Sequence, residues 1–213
     1  MEVVDPVDPR LLVKAAGPGR VRGLGLEILA GVRAAPLGAR SALSTGLRQA
    51  RALHSRERRL VGDMIRAILR DEAVLDRVLG VSSDLARWLG ELVDRGLEPE
   101  VAAEQAAVEQ VQGVPWERIV GDWRSGVIDG LDVHEAVQVL GSFSAPVAGR
   151  IVASLGEQSL DFVRASASRA AVQLRVRGDV SLAAVVTSLA ADGVTVSALR
   201  FASHGLQIEG RAN

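Results

Sequence analysis

Arginine is the residue type whose placement in this sequence first suggests chemistry. Arg56, Arg59, Arg66 and Arg70 recur along one predicted helix. At 100° per residue they fall within about 80° of one another, opposite an apolar face of Leu60, Val61, Met64, Ile65, Ile68 and Leu69. Asp63 lies in the same stripe and dilutes it, while Arg20, Arg22, Arg48, Arg51 and Arg58 are close by in sequence. A guanidinium fork engages two phosphate oxygens at once and stays charged at every accessible pH. The stripe therefore predicts contacts to the phosphates of RNA or DNA. A solvated helix surface paired with acidic neighbours explains the same pattern and stands beside that reading.

Other site chemistries find little support. The chain of 213 residues contains no cysteine, which excludes disulfides, thiolate zinc sites, iron–sulfur clusters and cysteine nucleophiles within it. His54, His134 and His204 are too scattered to suggest metal ligation. No GxGxxG follows a predicted strand, no GxxxxGK occurs, and Gly23 and Gly25 fall inside a helical pattern. Three Trp, three Phe and no Tyr leave little for base-stacking platforms. Trp116 and Trp123, seven apart, are expected on one helical face in the core. Asp122 and Asp129 read as solvated.

Net charge is −1, yet it averages opposite thirds. Residues 1–70 hold 13 basic and 6 acidic side chains, residues 71–140 hold 5 and 15, and residues 141–213 hold 7 and 5. Twenty-four of the 25 basic residues are Arg, as a GC-rich genome would favour. No stretch approaches the ~18 uncharged apolar residues of a membrane span. Glu2, Asp5 and Asp8 open the chain, unlike the basic start of a signal peptide. These features predict a soluble, cytoplasmic chain with no membrane partner.

The elements that must position the arginines are mostly helices. Pro6, Pro9 and the Gly17-Pro18-Gly19 turn predict an arm or short helix, and Val21 to Val32 and Leu43 to Ala50 predict two further helices. Ser55 is the expected N-cap of the arginine-bearing helix, and a short helix follows over Asp71–Leu79, ended by Gly80. Ser82 or Ser83, Pro99, Pro115, Asp132 and Ser144 mark five further starts, the Pro115 helix carrying Ile119, Val120, Trp123 and Val127. Another helix spans Glu157–Ser168. From Ala171 the period changes to two, with Val172, Leu174 and Val176 alternating against Gln173, Arg175 and Arg177. A helix over Ser181–Ala191 and strands Val194–Phe201 and Leu206–Glu209 complete a β-α-β-β unit. The fold class is mainly α, with a helical domain at 1–142 and a small α+β adaptor at 143–213.

Several segments resemble bacterial RNA cytosine-C5 methyltransferases of the Sun (Fmu) type. They are Arg20 to Ala30 (RVRGLGLEILA), Leu53 to Leu60 (LHSRERRL), Val61 to Arg70 (VGDMIRAILR) and the pair Leu75-Asp76. Phe143 to Pro146, Arg150 to Val152, Leu155 to Glu157, Gln173 to Val176, Gly193-Val194 and Gly205-Leu206 fit later stretches of that family. Arg177 stands where the family usually has Asn, Val147 or Ala148 replaces its usual Trp, and residues 81–142 lack its usual second half. The resemblance implies a NusB-like helical bundle, then a small α+β unit leading into a domain that binds S-adenosylmethionine and carries the catalytic cysteines. Gly210 to Asn213 looks like the junction before that domain, so no cofactor is expected in this chain itself.

The resemblance thus implies a non-catalytic N-terminal module of an rRNA or tRNA methyltransferase, as a part of a longer protein or a truncated paralogue. It would work with a C-terminal methyltransferase domain in cis or with a partner protein. Arg20, Arg22, Arg56, Arg59, Arg66 and Arg70 are the expected RNA contacts, with Arg175 and Arg177 facing RNA near the catalytic domain. The alternative is a NusB-like protein-interaction or regulatory module that docks through the acidic face of residues 71–140.

Overall fold

The computed structural model describes residues 7–119, 121, 123–124, 126–167, 173–200 and 202–211. Expectations placed on Pro6, Val120, Asp122, Ser168, Ala171, Val172, Phe201, Ala212 and Asn213 lie outside those residues. The fold is mainly helical with a small α+β unit at its C-terminal end, as the two periodicities predict. Residues up to Ala167 form one compact unit and those beyond it a second.

The first unit comprises α1 (Pro9–Ala16), α2 (Arg20–Arg33), α3 (Ala39–Gln49), α4 (Ser55–Leu79), α5 (Asp84–Asp94), α6 (Pro99–Val108), α7 (Val133–Gly141), α8 (Ala145–Leu155) and α9 (Ser159–Ala167). The apolar face of α4 buries Leu60, Val61, Met64, Ile65 and Ile68, in one core with Leu29 and Val32 of α2 and Trp88, Leu89 and Leu92 of α5. Each such side chain contributes roughly 2 kcal/mol when taken from water, so α4 is held by this face rather than by its own propensity. Trp88 is fully buried and donates from Nε1 to the Ala15 carbonyl at 3.0 Å. Gly25 makes room for it: a Cβ there would lie 2.3 Å from the indole Cη2.

Three expectations need correction. The N-cap of α4 is His54 rather than Ser55, because the Glu57 carboxylate reaches back to accept the His54 N–H at 2.8 Å. The break expected at Asp71 is present as a kink within α4, with Asp71 at φ −105°, ψ 17°. At the kink, Ser142 Oγ accepts the Ala73 N–H at 3.1 Å and donates to the Arg70 carbonyl at 2.9 Å. The hydroxyl thus occupies backbone groups that the bend takes out of the helical ladder.

Among the described residues no helix runs on from Pro115. A single 3-10 turn at Trp116–Arg118 gives way to turns, with Gly121 and Gly126 at φ +67° and +73° in the left-handed region. Trp116 and Trp123 therefore share no helical face, although both are buried in the core with Ile119 and Val127. Lastly, the units divide after Ala167 instead of at 142/143. The reason is packing: Val137 of α7, Ala148 of α8 and Val163 of α9 form a small core of their own within the first unit.

The second unit has β1 (Gln173–Arg175), α10 (Leu182–Ala191), β2 (Val194–Ala198) and β3 (Gly205–Arg211). The sheet order is β1-β3-β2, antiparallel throughout, with Leu174 opposite Leu206 and Val196 opposite Ile208. Val176 and Leu206 are buried, while Gln173, Arg175 and Arg177 face outward, as the alternation predicts. Among the described residues, no single helix is long and apolar enough to cross a membrane.

Candidate nucleic-acid interface

An open groove of about 1180 Å³ runs between α3 and α4. Arg40, Ser44 and Arg48 stand at i, i+4, i+8 and so form one ridge of α3, which becomes one wall. Arg58, Arg59, Asp63 and Arg66 line the α4 side. Val32 and Leu43, both buried, and Leu47 and Leu69, both half-buried, supply the floor. Gly62 permits the close approach of the two helices, since a Cβ there would meet Leu47 Cδ1 at 3.1 Å. Five guanidiniums thus share a concave surface with one carboxylate.

That carboxylate is engaged. Asp63 Oδ1 accepts from Arg66 Nη1 at 2.8 Å, and Arg59 Nε lies 4.0 Å from Oδ2. Arg59 and Arg66 remain largely exposed, at 77% and 62% of their side-chain surface. Exposed ion pairs of this kind are worth at most about 1 kcal/mol and give way to a stronger anion.

The remaining predicted arginines divide. Arg56 is exposed on the first turn of α4, outside the groove lining. Arg20 lies 3.9 Å from Glu57, whose carboxylate also binds Lys14 at 2.6 Å. Arg70 chelates Asp71 through Nε and Nη2 at 3.0 and 2.9 Å and belongs to the kink. Burial opposes the Asp71 charge, but the hydrogen bonds and charges of Arg70 and Arg124 outweigh it and hold its carboxyl below the usual range.

Arg22 is the residue the structure withdraws from the interface. It is buried, donating to the Ala16 carbonyl at 3.0 Å and to Glu109 Oε1 at 2.8 Å, so its fork ties α2 to the end of α6. Arg175 and Arg177 lie exposed in the second unit, where Arg177 donates to Asp179 at 3.1 and 2.9 Å. Arg40 carries no part in the stripe and is missed by it. Its signal is the four-residue spacing to Ser44 and Arg48, which only the pairing of α3 with α4 converts into a wall.

The acidic middle third also finds a structural use. Arg87, nearly buried, binds Asp76 at 2.7 Å, Asp84 at 2.9 Å and Glu72 at 3.1 Å, and Arg33 pairs with Glu72 and Asp84. Arg124 bridges Asp71 and Asp94 at 2.9 and 3.1 Å and stacks over the Trp123 ring at 4.1 Å. These carboxylates join helices α2, α4 and α5 to the turn region, which removes them from a free acidic docking face. Among the described residues no group of three or more His, Asp or Glu side chains is placed to hold a metal ion. The chemistry the groove offers is anion binding.

No protein-family description matches the chain, and no curated protein does. Among solved structures it is similar to the crystal structure of PH0851, with 14% identity and a TM-score of 0.45 over 97% of this chain and 50% of that one. The chain therefore spans half the length of that structure, and the likeness is a distant one.

Proposed function

We propose that this chain is a non-catalytic RNA-binding module that recruits and positions structured RNA, of the rRNA or tRNA kind. The observation that carries this reading is the convergence of Arg40, Arg48, Arg58, Arg59 and Arg66 on one open groove. Guanidiniums held on two helices present paired donors to phosphate oxygens without having to order long loops first. The likeness of residues 20–76 to the Sun (Fmu) methyltransferases supports the further reading that the bound RNA is handed to a cytosine-C5 methyltransferase domain, in cis or on a partner protein. S-adenosylmethionine would belong to that domain.

A fluorescence-anisotropy titration of the chain with labelled tRNA, repeated at several salt concentrations, tests the reading. Affinity should fall steeply with salt, and the double variant Arg59→Glu, Arg66→Glu should weaken binding roughly 100-fold at 50 mM salt. Affinity unchanged by salt and by both charge reversals would sink the electrostatic claim. A protein-interaction reading retains one supporting observation, the half-buried Leu47 and Leu69 between charged walls, which suits an acidic amphipathic helix. It predicts a stable complex with a protein and no salt-dependent RNA affinity.

A further inference from the structure

Resting on the RNA-binding reading above, we infer that the groove between α3 and α4 selects base-paired RNA through its phosphate backbone, and discriminates against single strands. The lining residues decide between the two. Recognition of single-stranded RNA relies on splayed bases stacked on aromatic rings, each stack worth about 1–3 kcal/mol, or on free guanidinium planes. Among the described residues no aromatic ring lines the groove, and the Arg48 and Arg66 guanidiniums are held edge-on by Thr45 and Asp63. Trp88, Trp116 and Trp123 are 0%, 4% and 7% exposed, and Phe143 is packed against the small core of α7–α9. The Trp rings and Phe143 are thus committed to packing, and the half-exposed Phe162 and the three histidines are not part of the groove lining.

Base edges fare no better. Besides the arginines, the polar side chains of the lining are Ser44 and Asp63, and no Asn, Gln or His contributes. Arginine reads guanine in a wide major groove, but the major groove of A-form RNA is too deep and narrow for side chains to enter. What remains is a pair of guanidinium rows. Arg40 and Arg48 are separated by roughly 12 Å along α3, and Arg59 and Arg66 by roughly 10 Å along α4, at 1.5 Å per residue. A stem presents phosphates in fixed rows and keeps its bases inside, so donors carried on two helices meet it with only the arginine side chains left to order. A single strand gains no stack on an aromatic ring here to offset its own loss of freedom.

Anisotropy titrations of the full chain with four labelled probes test this. The probes are a 16-base-pair RNA duplex, a second duplex of scrambled sequence, and a 16-nucleotide oligoadenylate with its oligouridylate counterpart measured separately. The duplexes should bind within about threefold of each other and at least tenfold tighter than either single strand. Raising salt from 50 to 200 mM should weaken duplex binding on the order of 100-fold, as neutralisation of about four phosphates requires. The double variant Arg40→Gln, Arg48→Gln, on an exposed helix face, should lose at least tenfold on the duplex with an unchanged circular-dichroism spectrum.

Single strands binding as tightly as duplexes would overturn the inference while leaving RNA binding intact. Absence of salt-dependent binding to every RNA probe would overturn the RNA reading itself. Polyglutamate of matched charge binding as tightly as the duplex would assign the groove to acidic polypeptides and overturn both.

Discussion

Between Arg59 and Arg66, the Asp63 carboxylate occupies guanidinium donors that a phosphate would otherwise take. It also places one negative charge at the wall of a groove whose other charges are all positive. An incoming phosphate must therefore displace Asp63 from Arg66 and tolerate it nearby, which weakens binding and makes it more dependent on the phosphate arriving in register. Asp63→Asn keeps the size and an acceptor oxygen while removing the charge. We expect it to tighten RNA binding about fivefold at low salt, the equivalent of about 1 kcal/mol, with the gain fading as salt screens the groove. A salt series by anisotropy checks this, and unchanged affinity at 50 mM salt would show that Asp63 does not face the ligand. The α4 stripe is legible in the sequence because a single helix writes its faces into its spacing. The α3 wall is not, because helix pairing is a tertiary fact. Arg22 was legible and misread: at three and seven residues before Gly25 and Leu29, it falls on the inward face of α2.

The Ser142 hydroxyl joins the end of α7 to the kink of α4, serving one freed donor and one freed acceptor. Ser142→Ala leaves the Ala73 N–H and the Arg70 carbonyl without that partner at a half-buried site. The cost expected is about 1–2 kcal/mol in urea unfolding, with no change in groove affinity. The break at Asp71 was readable from the residue types, whereas its repair by a residue seventy positions away was not. The turn region after Pro115 shows the converse failure. Trp116, Ile119, Trp123 and Val127 carry a helical apolar spacing, but the left-handed glycines end the helix and the same residues fill the core from turns. Within α5, burial pushes the Glu91 carboxyl up to about 7, against the pull of Arg95 and with the push of Asp94 and Asp71. Its Oε2 is buried with no hydrogen-bond partner. The native state thus binds more protons than the unfolded one between about pH 4.5 and 7, so stability falls as pH rises through that window. Glu91→Gln should flatten this fall and raise stability above pH 7, by on the order of 3 kcal/mol at most. Thermal unfolding of both proteins from pH 5 to 8 checks it, and parallel profiles would contradict a proton bound at Glu91.

Charge is sorted within the molecule by use. The basic residues of α3 and α4 face solvent across a groove, while the acidic residues between 71 and 94 are largely engaged with Arg33, Arg87, Arg95 and Arg124 inside the first unit. A net charge near zero therefore conceals an exposed basic surface supported by internal ion pairs. The two units also differ in how much they bury. The first holds a large core with Trp88, Leu29, Met64 and Ile68 fully enclosed. The second, among its described residues, encloses only Val176 and Leu206 as buried hydrophobic side chains, and α10 buries none of its residues. A unit of that size gains too little from burial to offset the ordering of its backbone unaided. Removing residues 168–213 should therefore leave the helical unit folded, with a cooperative thermal transition within a few degrees of the intact chain. Its RNA affinity should stay within about twofold, because every groove-lining residue lies before Ala167. The isolated 168–213 segment should show no cooperative transition by circular dichroism. Loss of RNA binding in a folded 1–167 fragment would move the interface to Arg175 and Arg177 and away from the groove. Loss of folding in that fragment would mean that the second unit supports the helical core.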